Sequence, residues 1–386
     1  MTEDVSGVLM EHQIIRDAVR RFAEQEVAPV SERLWEEQGF PYEIWKKAGE
    51  LGFSGLPYDE QWGGGGGDWV AYSIVLEELA RVDCAIANSL MANSTVASLL
   101  ANFGTDEQKQ RYLTPILNGS QIGAIGLSEP NAGSDAANIQ TVAKRQGDSW
   151  VINGAKTFIS NSGTDVTGPV VIAAVTGTRP DGRKQISNFI VPNGTPGFEY
   201  GRKLRKIGWR ASSTYELSFQ DCILPMDHLL GEQGGGLRQT LAQISTGRIL
   251  IGSLALGILQ GSLDRSVEYM KARQAFGRPI SEFQALQFKV ADMAVHTHAA
   301  RLMLHDAAQK KDAGRPFANE ASMAKLFATE RAMEAAHQAV QIHGGYGIIS
   351  EYPVARAFGD AKVLEIVEGT SEIQRMIIAR ELLLKD

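Results

Sequence analysis

The chain has 386 residues, 44% of them hydrophobic and 22% charged, and carries a formal net charge of −7. At roughly 150 residues per domain this length holds two or three domains and enough core for an enzyme, while the acidic balance and the lack of a basic run argue against a nucleic-acid partner. Cys84 and Cys222 lie far apart without metal or disulfide-framework spacing, which reads as a reducing compartment.

MTEDVSGVLM, at the N-terminus, has no apolar signal core, and the best apolar run, Ile249 to Leu259, is too short to span a bilayer. A cytoplasmic protein without membrane insertion is expected. From Glu11 onward Ile15, Val19, Phe22 and Val27 recur at helical spacing, and helical patterns continue to about Asn118. Residues 1–119 therefore read as an N-terminal helical domain. Within it, QWGGGGGDW carries five glycines, Gly63 to Gly67. A phosphate loop is excluded because no Gly-Lys-Ser/Thr follows and no buried strand precedes. Asp68 reads as the N-cap of a helix bearing Val70, Ile74, Leu76 and Leu79, and the glycines as a flexible turn.

After Gly119 the texture changes. Ser149 to Asn153, Val170 to Val175 and Tyr215 to Phe219 are rich in β-branched or aromatic residues, separated by turn signals such as Gln146-Gly147-Asp148 and Pro180-Asp181-Gly182. Residues 120–232 are expected to form a middle β domain. Past Gln233-Gly234-Gly235-Gly236 the helical period returns in long runs, Leu237 to Arg273, Ser281 to Lys311 and Phe317 to Ile342. Residues 233–386 thus read as a C-terminal helical bundle.

No metal site is expected: His296 and His298 are two apart on a helix and point to different faces, and His337 and His343 have no nearby cysteine. No Gly-x-Ser-x-Gly elbow supports a serine nucleophile. The stretch IGAIGLSEPNAGSD, Ile122 to Asp135, passes from apolar residues into a loop of small and hydroxyl side chains, which suits either a β-domain turn or a planar polar ligand. Near the C-terminus, VLEIVEGTSEIQ (Val363 to Gln374) places Glu368 between apolar residues and a glycine. Locally this reads as a surface kink, with Gly369 ending one helix and Ser371 and Gln374 forming a capping box for the next.

Taken with KTFISNSG (Lys156 to Gly163), RQAFGRPISEFQ (Arg273 to Gln284) and QIHGGYG (Gln341 to Gly347), these segments in this order resemble the acyl-CoA dehydrogenase family of flavoproteins, over nearly the whole chain. The resemblance implies a mainly α fold with a central β domain: an N-terminal helical domain, a β-barrel-like middle domain and a C-terminal four-helix bundle. It further implies one FAD per subunit, a homotetramer, an acyl-CoA substrate and an electron-transfer flavoprotein as acceptor. Carried over by position, Leu127 and Ser128 correspond to flavin contacts and Ser134 to a residue near CoA. Phe158 and Ser160 correspond to the pair that flanks the isoalloxazine, with Ile159 between them as a further cofactor contact. Arg273, Phe276 and Gln284 reach the FAD of a neighbouring subunit, the arginine matching pyrophosphate charge. Gln341, Gly344 and Gly345 make a further FAD contact, joined by Thr370 and Glu372, while Arg248 and Gly369 fall on the substrate side.

In the same carry-over Glu368 is the catalytic base. Oxidation of an acyl thioester removes a proton from the α-carbon and a hydride from the β-carbon, so one base is needed opposite the flavin. Apolar neighbours such as Ile366 and Val367 would desolvate the carboxylate and raise its pKa toward neutrality. The sequence departs from the family pattern at three places. Val367 replaces a frequent Tyr and promises a roomier acyl pocket, Phe158 replaces a commoner Trp, and Gly359 stands where an Arg is frequent, removing an ion-pair partner. The expected reaction is α,β-dehydrogenation to a trans-2-enoyl-CoA. Oxidase or desulfinating and decarboxylating use of the same site, and a non-catalytic flavin- or CoA-binding protein, are the alternatives.

Overall fold

The computed structural model describes residues 10–384; the N-terminal stretch MTEDVSGVL, where a signal core was sought, lies outside them. The chain opens with helices α1 (Met10–Phe22), α2 (Ala28–Glu37), α3 (Tyr42–Glu50), α4 (Trp69–Val82) and α5 (Cys84–Phe103), followed by the short turns α6 (Asp106–Gln108) and α7 (Thr114–Leu117). Asp68 caps α4 as its sequence position predicts, its carboxylate accepting from the Ala71 N–H at 2.7 Å.

The glycine run is not a flexible turn. The N–H groups of Gly65, Gly66 and Gly67 donate to the carbonyls of Gly55, Tyr58 and Leu56, and a Cβ on Gly64 would lie 2.1 Å from the Tyr58 carbonyl oxygen. These glycines let two backbone segments lie against each other, a demand for missing side chains rather than for mobility.

The middle of the chain forms one sheet from β1 (Ile122–Gly126), β2 (Val142–Gln146), β3 (Ser149–Ser160), β4 (Thr167–Thr178), β5 (Lys184–Val191), β6 (Phe198–Lys203), β7 (Thr214–Pro225) and β8 (Leu229–Leu230). The order is β6-β7-β3-β2-β4-β5-β8, with β1 parallel to β4. Alternating residues of β3, β4, β5 and β7, including Trp150, Ile152, Phe189 and Leu217, close a core of their own. The register of β3 on β7 slips between Lys156 and Ile159. Within that bulge Phe158 takes a left-handed φ of 63° and its ring turns out to solvent, 70% exposed.

The long helices α8 (Gly236–Ala272), α9 (Gln284–Asp312) and α10 (Ala318–His343) follow, with a small hairpin of β9 (Gln274–Ala275) and β10 (Arg278–Pro279) between the first two. The chain ends in α11 (Pro353–Leu364) and α12 (Ser371–Leu384). The N-terminal helices do not stand apart: Val75, Leu79 and Ile86 share one apolar core with Leu250, Leu254, Ala328 and Leu364 of the C-terminal helices. This corrects the membrane reading on one point. By length and composition alone, α5 and α8 are apolar enough to cross a bilayer, but both are largely buried in the protein, which is why they carry so few charges.

A buried charge network stitches the same helices. Glu77 of α4 accepts from Arg16 of α1 at 2.9 Å and from Arg301 of α9 at 2.6 Å, and Glu78 pairs with Arg16 and Arg20. Burial alone would raise the Glu77 carboxyl, but Arg301 and Arg16 hold it down at about 2.

Candidate active site

The turn between α11 and α12 carries Glu368 at φ 53° and Gly369 at φ 92°. Two successive left-handed residues reverse the chain in a space no helix could, at a cost that falls on Glu368 because it has a Cβ. The carbonyls they turn inward are held: Gln374 Nε2 donates to Gly369 O at 2.8 Å and to Glu368 O at 3.3 Å, and Lys325 Nζ of α10 donates to Gly369 O at 3.0 Å. Val367 N and Ser371 N close bonds to Val363 O and Glu365 O, whereas no backbone bond among the described residues uses the Glu368 N–H between them.

This arrangement overturns the surface-kink reading. The first helix ends at Leu364, well before Gly369. No capping box forms: Ser371 is buried with its hydroxyl unpaired, Thr370 Oγ1 takes the Ile373 N–H instead, and the Gln374 side chain serves the turn.

Glu368 Oε2 is sealed from solvent and has no hydrogen-bond partner. Burial pushes the carboxyl up to about 7, against the opposing pull of Arg248 and then Lys325. Arg248 reaches in from α8, buried, with Nη1 on Ser322 Oγ at 3.3 Å and Nε unpaired; burial lowers its pKa, and Glu368 opposes that shift. The carboxylate lies against bare helix backbone, since a Cβ on Gly247 would sit 2.8 Å from Glu368 Oε2. A carboxylate that is desolvated, unpaired and near neutral pKa is suited to accepting a proton.

A second group of predicted residues gathers on the β domain. Thr157 N donates to Ser128 O at 3.0 Å, and Lys156 Nζ reaches Leu127 O at 3.3 Å and Glu129 Oε1 at 2.7 Å, so the GLSEP loop is pinned beside the bulge that exposes Phe158. The Glu129 carboxylate also accepts from Gln140 N and Thr141 N. Lys156 and Glu129 were not singled out in the sequence, although both lie in the quoted motifs. Leu127, Ser128 and Ser160 are half-buried and Ser134 is exposed. Ile159 differs from its neighbours: its side chain is 2% exposed and points into the sheet core, leaving only its backbone to meet a ligand.

The third group lies at the far end of α8. A cleft of about 610 Å³ is lined by Tyr269, Arg273, Gln341, Gly344 and Gly345 among others. A Cβ on Gly344 or Gly345 would meet nothing within 4 Å, so their backbone faces open space. The ring of His343 stacks on Tyr269 at 4.2 Å and stiffens the floor. Phe276, at the tip of the β9–β10 hairpin, is 94% exposed with φ 53°, and Gln284 is exposed at the start of α9. Arg248 and Ala272 mark the two ends of a stretch of α8 spanning roughly 36 Å, so the structure does not bring this group to Glu368 within one chain. Thr370 is half-buried and Glu372 exposed beside Glu368. Among the described residues no three His, Cys, Asp or Glu side chains gather as a metal site.

At Gly359 the structure gives a different reason for the missing side chain. A Cβ there would lie 2.4 Å from Ile207 O, and one on Gly208 would lie 2.3 Å from Gly359 O. The two backbones are packed together, leaving no room for an arginine. The adjacent Asp360 is buried and pushed up to about 7 by desolvation and Asp83, against Arg356 and Lys206, and it accepts from Trp209 N at 2.5 Å.

Comparison with known proteins places three domain models on the chain: acyl-CoA dehydrogenase N-terminal domain at residues 10–120, middle domain at 124–222 and C-terminal domain at 234–383. The mitochondrial short-chain specific acyl-CoA dehydrogenase of Rattus norvegicus is 46% identical, covering 96% of this chain and 90% of that protein. The butyryl-CoA dehydrogenase of Megasphaera elsdenii superposes with a TM-score of 0.94 at 39% identity, over 99% of this chain and 100% of the other. A chain from a structure concerning the electron transferring flavoprotein of Acidaminococcus fermentans and flavin-based electron bifurcation gives a TM-score of 0.94 at 40% identity, with both chains covered in full.

Proposed function

The chain belongs to the acyl-CoA dehydrogenase family, and from that premise we propose that it oxidises a short-chain acyl-CoA to the trans-2-enoyl-CoA, with Glu368 as the base and an electron-transfer flavoprotein as acceptor. Acyl-CoA dehydrogenases are FAD-dependent oxidoreductases, and the residues present fit that cofactor. Phe158 offers an exposed aromatic face beside the pinned Leu127–Ser128 loop, and Arg273 with the open backbone of Gly344 and Gly345 offers a cationic cradle for phosphate. FAD, when bound, supplies the acceptor for the β-hydride.

The observation that carries the reading is the state of Glu368: one carboxylate oxygen sealed from water, unpaired, and close to neutral pKa. Such a group takes the α-proton without first shedding a salt bridge or a water shell. Its own N–H, left out of the turn's hydrogen bonds, can donate to the thioester oxygen as negative charge develops there. Arg248 and Lys325 hold the carboxyl below where burial alone would put it, so that an ionised fraction is present at neutral pH. The short-chain preference rests on the named activities of the relatives. A homotetramer is part of the same reading, since the Arg273 cleft lies at the opposite end of α8 from the base and suits a cofactor bound by a neighbouring copy.

The test is anaerobic titration of the FAD-loaded protein with straight, branched, cyclic and aromatic acyl-CoAs while the flavin absorbance is followed. Butyryl-CoA should bleach the flavin rapidly in the native protein. Glu368→Gln should bind it and bleach about 100- to 10,000-fold more slowly, the scale of lost general-base catalysis. Rapid bleaching in Glu368→Gln overturns the assignment of the base. Fast oxygen consumption with peroxide release would point to an oxidase, and no bleaching with any thioester to a binding protein.

A further inference from the structure

Lys325 is fully buried on α10, between Ala321, Ala324 and Ala328, which are themselves sealed. An ammonium in such a place is rare, because it loses its hydration and must be compensated by what surrounds it. One compensation is the 3.0 Å bond to Gly369 O. A single carbonyl does not neutralise a charge, and Gln374 already holds that oxygen at 2.8 Å, so anchoring the turn does not by itself call for a lysine. The charged groups facing Lys325 are Glu368, Glu365 and Glu372 from the turn and α12, and Arg248 from α8. Those facing Glu368 are Arg248 and Lys325.

Resting on the reading of Glu368 as the base, we infer that Lys325 is a positioning residue for the reaction: through Gly369 O it fixes the left-handed turn that aims the Glu368 carboxylate and N–H, and through its charge it sets the proton affinity of the base. The two roles come from one atom. Nζ donates to the carbonyl of Gly369, immediately after Glu368, and the same ammonium acts by its charge on the Glu368 carboxylate. Arg248 shares the electrostatic part from the opposite helix, but its hydrogen bond goes to Ser322 and not to the turn. Burial lowers Lys325 to about 8, with Glu368 and Glu365 opposing. The ammonium is therefore charged at neutral pH and fades above pH 8, where an ionised base no longer needs it.

That sequence of titrations separates the inference from a purely structural role. Lys325→Gln keeps a donor without charge, Lys325→Met keeps neither, and Lys325→Arg keeps the charge. In FAD-loaded proteins of matched cofactor content, kcat/KM for butyryl-CoA is measured from pH 5.5 to 9.5. In parallel, the protonated carboxyl of Glu368 is titrated by infrared difference spectroscopy, its band identified by loss in Glu368→Gln. Lys325→Gln should move the acid limb and the carboxyl titration upward together by about one pH unit, a roughly tenfold loss at pH 6 that closes above pH 8. Lys325→Met should show the same shift plus a fall in kcat at every pH, and Lys325→Arg should restore the native limb. If Met does not fold at this site, the Gln variant alone carries the shift. An acid limb and carboxyl titration unmoved in Lys325→Gln, with Glu368→Gln inactive, overturn the role of Lys325 and leave the base intact. Turnover persisting in Glu368→Gln instead overturns the base, and the inference with it.

Discussion

Residue by residue, the chain break at Glu368 was legible, because apolar neighbours and a glycine announce it, whereas its reading as a base came only from the family resemblance and its burial only from the fold. What the sequence did not announce was the support. Lys325 lies in an unremarkable helical run, AKLFAT, and nothing local says that its ammonium ends under a carbonyl 44 residues further on. Gly247 offers no carboxylate of its own, and the geometry shows what one placed there would meet. Since a Cβ there would touch Glu368 Oε2 at 2.8 Å, positions 247 and 368 address the same space from two elements. Adding Gly247→Glu to the native protein would crowd two carboxylates and raise the pKa of one. Exchanging them avoids this: Glu368→Gly suits a φ of 53° and vacates the space for Gly247→Glu. The single Glu368→Gly variant should be nearly inactive, and the double variant should regain at least tenfold of kcat/KM, an order-of-magnitude expectation for a base returned imperfectly to its place. A double variant no faster than the single one would show that the two positions do not reach the same α-carbon.

At the scale of elements, the sequence was read correctly where periodicity decides and wrongly where close approach decides. The α8, α9 and α10 ranges and the hairpin turns at Gly147 and Gly182 follow from apolar spacing and turn residues. The run Gly63 to Gly67 looks like a flexible turn in sequence because composition records only that side chains are missing, not what occupies their place. The occupant is the backbone of Gly55 to Tyr58. Gly359 failed for the same reason, its missing side chain being a contact with Ile207 and Gly208 rather than a lost ion pair. Gly64→Ala should therefore destabilise the protein by about 1–3 kcal/mol, the usual cost of forcing atoms into filled space. Gly133→Ala, where nothing lies within 4 Å of the new Cβ, should be close to neutral. Denaturant midpoints of the two variants decide the matter, and equal midpoints would restore the flexible-turn reading.

For the whole molecule, the helix, β, helix order was visible in sequence, but the sharing of one core by the first and last helices was not, since α4 and α5 show no outward sign of which surface they bury against. The same limit applies to contacts between copies. Phe276, Phe288 and Val295 are apolar and 94%, 59% and 65% exposed, as are Met376 and Leu382 at 66% and 71%; large apolar side chains in such number mark surface that association would cover. Arg273, three residues before Phe276, is exposed in a cleft with Gln341, Gly344 and Gly345, and no ion pair of its side chain is found among the described residues. Its removal has little to undo within one chain. Arg273→Ala should accordingly fold and assemble like the native protein, with an unchanged melting temperature for the FAD-free form, yet retain FAD more weakly, because a guanidinium facing phosphate contributes about 1.5–3 kcal/mol as a charge-assisted bond. That corresponds to a roughly tenfold or greater rise in the FAD dissociation constant. Phe276→Glu attacks the other half of the argument: by placing charge on an apolar contact surface it should shift sedimentation toward smaller species and release FAD in the same concentration range. Cofactor loss that tracks dissociation in Phe276→Glu, and occurs without dissociation in Arg273→Ala, is the expected pair of outcomes. Full FAD occupancy in a dissociated Phe276→Glu protein would mean that each chain holds its cofactor alone and that the cleft at Arg273 serves something else.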